Sequence, residues 1–441
     1  MLDIIIGRDK RDIEKFGKRG TVLLGKQYIT MGRTTSLSNN IYLDVAGAHV
    51  IFIAGKRGGG KSYTMGVFAE GFALLDEETR QNLSVIMLDT MGIYWTMKYA
   101  NKHEADLLVD WGLKPQPVPV VIFTPHAYYE DYKSKGIATD KPFSMDPAML
   151  GPDDWILAFR QEKYSPVGVL ITRTIFDLKK EKTSFLVDDI MDHIEKDKEA
   201  SEDAKAAAKS MFETAKNWGV FIEKGMKATP LEELAAGGQL SVLDVSCYAT
   251  MPGGWDVKAL VIGIVSQHLF IKRMEARKLE EYQGVHSALH YFGEEAPVKQ
   301  KSPLVWLVID EAHEFLPREG KVASTDALVT IMREGRQPGI SLVLATQQPG
   351  KIHTDVMTQS DTVISHRITA QMDTEALGLL AQSYMRAGIV GALNELPRVK
   401  GAAVLFDDTN ERLYPMRVRP RFTWHGGGSP IAIPEEKKGI E

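Results

Sequence analysis

The stretch HVIFIAGKRGGGKSYTM, residues 49–65, joins a short apolar run to a loop of glycines and cations. A fully apolar run that stops at a glycine is typical of a buried parallel strand, and the following SYTMGVFAEGFALL, residues 62–75, favours a helix. Between them, Gly55 to Ser62 reads GKRGGGKS and matches the pattern G-x-x-x-x-G-K-[ST]. The stretch therefore predicts a strand, a phosphate-binding loop and a helix.

The chemistry of this loop favours ATP with Mg²⁺. Glycines let the backbone curl so that successive N–H groups and the N-terminus of the helix face the phosphates. Lys61 would reach the β- and γ-phosphates, and the hydroxyl of Ser62 would ligate Mg²⁺. The predicted nucleotide-binding residues are Gly55, Lys56, Arg57, Gly58, Gly59, Gly60, Lys61, Ser62 and Tyr63.

Four further apolar runs resemble the first one. They are SVIMLD, LSVLDVS, PLVWLVID and GISLVLATQ, at residues 84–89, 240–246, 303–310 and 339–347, and helical stretches lie between them. Strands that alternate with helices predict an α/β fold with a mainly parallel sheet.

The run at 303–310 ends in an acidic pair, Asp310 and Glu311. Ligands of open α/β sheets bind at the carboxyl ends of the strands, so this pair is predicted to face the phosphates. Asp310 suits coordination of Mg²⁺ and Glu311 suits polarising the attacking water; helix capping is the alternative for both. His313 fits a structural role at the turn as well as a catalytic one.

Two other strand ends carry polar side chains. Gln347 can hydrogen-bond the γ-phosphate or the attacking water without adding charge, or it can belong to a plain turn. Asp89 can orient the metal shell or cap the next turn.

Arginines are the third group of candidates. Arg333 and Arg336 lie in DALVTIMREGRQPG, residues 326–339, and either could complete the site of a neighbouring subunit. Cations are also favoured near a helix C-terminus without any such role. Arg367 is a weaker candidate for the same role.

The chain has 441 residues, and its composition is typical of a folded globular protein. Residues 1–45 are predicted as a short β-rich segment, 46–425 as the ATPase core with a helical insertion at about 125–238, and 426–441 as an extended tail. The stretch 286–303 is predicted as a surface loop. The net charge of −5 gives no global basic footprint for nucleic acid.

The single cysteine, Cys247, fits a reducing compartment. The N-terminus lacks a signal-peptide pattern, and the most apolar stretches, such as HVIFIAG and PLVWLVID, are shorter than a bilayer span. We therefore expect a cytoplasmic location and no membrane.

In their order along the chain, these motifs resemble the HerA/FtsK superfamily, most closely HerA-like (DUF87-type) ATPases. The resemblance runs from about residue 41 to 427 and includes VWLVIDEAHEFLP, MREGRQPGISLVLATQQPGKI, QSDTVISHRIT and PMRVRPRFTWHGG. It implies a RecA-like core, a homohexameric ring, and translocation of double-stranded DNA with a NurA-type nuclease or a defence effector as partner. By position, Lys61, Ser62, Asp310, Glu311 and Gln347 match the family's site, and Arg336, with Arg333 second, falls at its trans-acting arginine.

Two departures from the family pattern bear on these expectations. About 45 residues cannot contain the N-terminal β-barrel of full HerA proteins, the HAS domain. The family's D-P-H-G-E-Y reads DTMGIY at residues 89–94, so Ile93 replaces a carboxylate. A DNA-pumping motor for conjugation or genome packaging, and an ATP-dependent assembly switch that does not move on DNA, are the alternative functions.

Overall fold

The computed structural model describes residues 3–31, 34–289, 302–368, 371–378 and 386–428. The described residues form one sheet, whose strands are β1 (Ile4–Ile6), β2 (Thr21–Met31), β3 (Thr34–Asp44), β4 (Val50–Ala54), β5 (Leu83–Asp89), β6 (Val121–Pro125), β7 (Lys141–Phe143), β8 (Leu240–Asp244), β9 (Leu304–Ile309), β10 (Ile340–Thr346), β11 (Thr362–His366), β12 (Ala402–Asp407) and β13 (Arg412–Val418).

The helices of the same residues are α1 (Lys10–Phe16), α2 (Lys61–Ala73), α3 (Glu77–Gln81), α4 (Ala105–Asp110), α5 (His126–Ser134), α6 (Pro152–Ala158), α7 (Pro166–Glu181), α8 (Val187–Lys196), α9 (Glu202–Lys216), α10 (Leu231–Leu234), α11 (Gly254–Leu289), α12 (Thr325–Glu334), α13 (Thr354–Gln359), α14 (Gln371–Gly378) and α15 (Arg386–Glu395).

The strand order is β1-β3-β2-β13-β12-β11-β4-β10-β9-β5-β8-β6-β7. From β11 to β7 every neighbouring pair is parallel, whereas β12, β13, β2 and β3 pair antiparallel. The five apolar runs seen in the sequence are the adjacent strands β4, β10, β9, β5 and β8. The predicted α/β fold with a mainly parallel sheet is therefore confirmed.

Apolar cores cover both faces of the parallel strands, which is why their sequences are apolar at every position. In β4, Phe52 and Ala54 pack into one core, and Ile51 and Ile53 pack into the other. Helix α2 covers the second of these faces with residues such as Phe68. Packing on both faces fixes the register of β4 and hence the position of the loop that follows it.

The first 45 residues join this sheet through the pairing of β2 with β13. A buried polar cluster ties them to the start of β4. Arg8 binds Asp44. His49 Nε2 lies 3.1 Å from the carboxylate of Asp44, and His49 Nδ1 lies 3.1 Å from that of Asp361. Burial lowers the pKa of His49, but its hydrogen bonds to the two carboxylates raise it to about 9. His49 is therefore a cation at neutral pH and holds β3 and β4 together.

Between residues 125 and 238 the structure has α5 to α10 and the short β7. The core of this helical region is centred on the ring of Trp155 in α6. That ring contacts Phe212 of α9, and Trp218 and Phe221, which follow α9. The division of the chain into a β-rich N-terminal segment, an ATPase core with a helical insertion, and an extended tail stays a prediction. Residues 429–441 of the tail lie outside the described residues.

Helix α11 corrects one expectation. Residues 286–289 are its last turn and not part of a surface loop, and 290–301 lie outside the described residues. In the described part of the chain, one helix, α11, has the length and apolar composition needed to cross a membrane. However, 67% of its most apolar window is buried inside the protein. A buried core helix gives the same signal.

A buried ion cluster clamps α2 to the C-terminal end of the described chain. Glu70 of α2 is fully buried and accepts hydrogen bonds from Arg419 at 2.8 Å and Arg421 at 3.1 Å, and from the backbone N–H groups of Phe422 and Thr423. Burial opposes ionisation, but the two guanidinium groups keep the pKa of Glu70 below its usual value. This Glu70 clamp fixes the helix that begins at the phosphate-binding loop.

Removing the carboxylate of the clamp should destabilise the protein strongly. Glu70→Ala leaves the guanidinium groups of Arg419 and Arg421 buried without a counter-ion, and breaking such a pair costs about 3–5 kcal/mol. The free energy of unfolding, from urea denaturation, measures the loss.

The matched control is Glu78→Ala, because Glu78 is exposed and pairs only with Arg19 at the surface. We expect little change there. A loss at Glu70 as small as that at Glu78 would contradict the role of the clamp.

Candidate functional site

The loop between β4 and α2 has the backbone of a phosphate cradle. Gly58 has φ +71° and Gly60, the N-cap of α2, has φ +113°, both in the left-handed region that favours glycine. A Cβ at Gly59 would lie 2.8 Å from the carbonyl oxygen of Lys56. Lys61 begins α2 and is 6% exposed. The loop thus aims the helix N-terminus and a lysine at one point, which suits an anion.

The other predicted loop residues divide into two groups. Lys56 and Arg57 are exposed beside the loop. The hydroxyl of Tyr63 instead donates to Glu104 at 2.8 Å and accepts from the N–H of Arg421, so this side chain is committed to the C-terminal segment. Only the backbone of Tyr63 remains available to a nucleotide.

Ser62 and Asp310 meet across the sheet. Ser62 Oγ donates to Asp310 Oδ2 at 2.5 Å, although the two residues are 248 positions apart in the sequence. Strand β10 lies between β4 and β9, and the parallel pairings bring the carboxyl ends of all three to the same edge. The side chain of Tyr94 lies behind the pair, with its hydroxyl 3.4 Å from Ser62 O.

Glu311 and Gln347 are also brought together at this edge. Glu311 has φ +51°, and Gln347 Nε2 donates to its Oε1 at 3.1 Å. Its Oε2 is buried without a hydrogen-bond partner among the described residues. Burial, together with Asp310, raises the pKa of Glu311 to about 7, while Lys61 opposes the rise. The free oxygen and the strained backbone fit a carboxylate that waits for a ligand or a water.

His313 is held between the last residue of β10 and a residue of the turn that follows. Its Nδ1 lies 3.0 Å from Thr346 Oγ1, and the amide of Gln348 donates to its Nε2 at 3.1 Å. Burial, with Lys351 and Lys61, lowers the pKa of His313 to about 4. A neutral ring with both nitrogens bonded fits the structural alternative for this residue.

Asp89 caps the turn after β5. Its two oxygens accept from four backbone N–H groups, those of Met91, Gly92, Ile93 and Tyr94, at 2.7–3.1 Å. Burial and the neighbouring Asp244 raise its pKa to about 7 against these bonds. Of the two alternatives for Asp89, the geometry fits the cap.

The candidate arginines lie at opposite edges of the sheet. Arg333 ends α12 and pairs with Asp355 at 2.6 Å, and Arg336 is exposed in the turn before β10. Both are at the amino edge, so the length of β10, about 20 Å, separates them from the phosphate loop of their own chain. Arg367 follows β11, which pairs parallel with β4, and it therefore lies at the same edge as the loop.

Sequence analysis missed three groups around the loop. Glu70 anchors α2 on the side away from the loop. The sequence signal for this role was a carboxylate on an otherwise apolar helix, because a buried carboxylate needs a charged partner. Thr64 and His366 hydrogen-bond each other at 2.8 Å beneath the loop. His366 stood in a quoted family motif, but nothing in that motif indicated which strand it would join.

The family described as "Helicase HerA, central domain" (DUF87) matches residues 29–251, about half of the chain. The probable DNA double-strand break repair helicase HerA of Methanocaldococcus jannaschii is 27% identical over 184 residues, which are 37% of this chain and 35% of that protein. HerA of Pyrococcus furiosus is 27% identical over 146 residues, 31% of this chain and 26% of that protein.

The chain thus spans about a third or less of the length of these two relatives. Among solved structures, VirB4 of Thermoanaerobacter pseudethanolicus has a TM-score of 0.53 at 11% identity, over 95% of this chain and 98% of that one, which is a likeness of fold. The family match, which covers half of the chain, establishes that the chain belongs to the family of the HerA helicase central domain, within the HerA/FtsK superfamily.

Proposed function

We propose that this protein binds ATP with Mg²⁺ and hydrolyses it at the edge where β4, β9 and β10 end. One observation carries the proposal: Ser62, from the phosphate loop, and Asp310, from the acidic pair, touch at 2.5 Å. A glycine cradle that met no carboxylate could bind an anion but would lack a site for the metal and the water of hydrolysis.

The donor set fits Mg²⁺. Ser62 Oγ and Asp310 Oδ2 are hard oxygen ligands, and Mg²⁺ usually binds one or two protein carboxylates and completes its shell with waters and substrate phosphates. Within the described residues, no group of three or more His, Cys, Asp or Glu side chains could hold a metal. These two residues would therefore hold Mg²⁺ with the nucleotide, and the ion would neutralise charge on the β- and γ-phosphates.

The remaining catalytic roles would fall to Glu311, Gln347 and Lys61. The free Oε2 of Glu311 can accept a hydrogen bond from the attacking water, and a pKa near neutrality suits a group that takes a proton. Gln347, bonded to Glu311 Oε1, can orient that water or contact the γ-phosphate. Lys61 supplies the positive charge that the phosphates need.

The larger function that we propose is a homohexameric, cytoplasmic motor that moves on double-stranded DNA and works with a NurA-type nuclease or a defence effector. The two HerA relatives, described as DNA double-strand break repair helicases, support this choice. With a net charge of −5, the chain would grip DNA through few side chains of a pore and not through a broad basic face.

The position of Arg336 supports a ring. It lies about 20 Å from the phosphate loop of its own chain, so it can act in hydrolysis only at the site of another subunit. Arg336 is exposed, whereas Arg333 is already paired with Asp355. Arg336 is therefore our first candidate for the trans-acting arginine and Arg333 the second.

Glu311→Gln should bind ATP but lose hydrolysis, because the amide keeps the contact with Gln347 and cannot accept the proton. Lys61→Ala should lose both tight binding and turnover. Phosphate release and retention of labelled ATP measure the two effects. A Glu311→Gln protein that hydrolyses ATP normally would show that another group activates the water.

Linear double-stranded DNA should stimulate the ATPase rate of the wild-type protein, and the stimulation should collapse as salt rises, because phosphate contacts release counterions. The rate is measured with and without DNA over a salt series. The Lys61→Ala protein is the control for contaminating activity. A rate that ignores DNA and responds only to a protein partner would favour the assembly switch over the motor.

Mixing two inactive variants tests the arginine. Arg336→Ala subunits keep an intact phosphate loop, and Lys61→Ala subunits keep the arginine, so a mixed ring contains some complete sites and should recover part of the ATPase rate. The same mixture made with Arg333→Ala is the comparison. No recovery at any ratio would contradict a trans role for Arg336.

A further inference from the structure

His366 lies directly beneath the phosphate loop. It is the last residue of β11, which pairs parallel with β4 so that Ser365 stands opposite Ala54. His366 and Gly55, the first residue of the phosphate loop, follow directly after that pair. The side chain of His366 is fully buried, so its contacts are with protein groups and not with solvent.

The imidazole ring fills the space that two glycines of the loop leave open. A Cβ added at Gly55 would lie 2.8 Å from His366 Cβ, and one added at Gly60 would lie 3.1 Å from His366 Cε1. The loop therefore packs on the side chain of His366 at both of its ends, mainly on Cβ at Gly55 and on the ring at Gly60. Gly55 and Gly60 are therefore needed for this contact as well as for the approach of phosphates.

Both ring nitrogens are bonded, and their partners define the tautomer. Nδ1 lies 3.2 Å from the carbonyl oxygen of Ala402, which can only accept, so Nδ1 carries the proton. Nε2 then accepts from the hydroxyl of Thr64 at 2.8 Å. The same hydroxyl lies 3.0 Å from the carbonyl oxygen of Gly60, so its single proton is shared between the ring nitrogen and the N-cap residue of α2.

Charge also favours this arrangement. Burial, together with the charge of Lys61, lowers the pKa of His366 to about 4, although its hydrogen bond to Ala402 raises it. The ring is neutral at physiological pH and adds no positive charge that would repel Lys61. It supports the loop while leaving the lysine's charge available to an anion.

We propose that His366, acting through Thr64, is a positioning residue that holds the empty phosphate loop in its binding shape. The proposal rests on the proposed function, since the ligand of the loop is taken to be ATP. A loop that is already ordered loses less conformational entropy when phosphates bind. The ring contacts neither substrate nor the reacting atoms, so its loss should weaken nucleotide binding and leave the chemical step intact.

Two pairs of variants test the proposal. Thr64→Val keeps the shape of the side chain and removes the hydroxyl, and His366→Leu removes both ring nitrogens; each should raise the KM for ATP about tenfold, since a buried polar group loses its partner. The kcat of both should stay within about twofold of wild type, as expected when uniform binding is lost. Thr64→Ser and His366→Gln, which can restore the hydrogen bond, should recover most of the KM.

Additivity and a remote control sharpen the test. The double variant Thr64→Val/His366→Leu should raise KM no more than either single change, because both remove the same interaction. Thr174→Val changes a buried threonine of α7 in the helical region and should leave KM unaltered. Melting temperatures are recorded for all of these proteins.

The outcome that overturns the proposal is a lower melting temperature for Thr64→Val and His366→Leu with an unchanged KM, which marks a merely structural pair. A fall in kcat at constant KM would also overturn it. Binding of the analogue ATPγS is measured by calorimetry in parallel. If the wild-type protein bound the analogue without hydrolysing ATP, the proposed hydrolysis would fail, and the binding constants of the variants would still decide the role of His366.

Discussion

The contact between Ser62 and Asp310 depends on a geometric constraint that extends through the whole molecule. The two residues follow β4 and β9, which are separated by one strand and are parallel, so both chains turn at the same edge of the sheet. Each strand is held in register by apolar cores on its two faces. A slip of one residue in either strand would move one side chain to the wrong face and separate the pair.

Around that contact, the protein supports the phosphate loop from several sides. Behind it, the Glu70 clamp ties α2 to the C-terminal segment of the described chain, and Tyr94 packs against Ser62. Beneath it, His366 connects the loop to β12. Buried ionic and polar groups of this kind add little net stability for their number, but each is costly to leave unpaired, and so they select one arrangement of the loop.

The sheet separates Arg333 and Arg336 from the phosphate loop of their own chain. The phosphate loop lies at the carboxyl edge of the sheet, and Arg336 lies at the amino edge. Strand length, and not flexibility, keeps them apart within one chain. In the ring that we propose, Arg336 would therefore serve the site of a neighbouring subunit, with one edge of each subunit facing the opposite edge of the next.

Local sequence alone determined the central strands and predicted the phosphate loop, because apolar runs and the GKRGGGKS pattern depend only on neighbouring residues. It also indicated Asp310, Glu311 and Gln347, since the ends of parallel strands share an edge. It did not decide between the alternatives for Asp89 and His313, because each depends on which donors surround the side chain. It overlooked Glu70, Thr64 and His366 as a supporting shell, since Thr64 and His366 are 302 positions apart and Glu70 and Arg419 are 349 positions apart. Only the tertiary structure decides such contacts, because strand order is set by packing between segments far apart in the sequence.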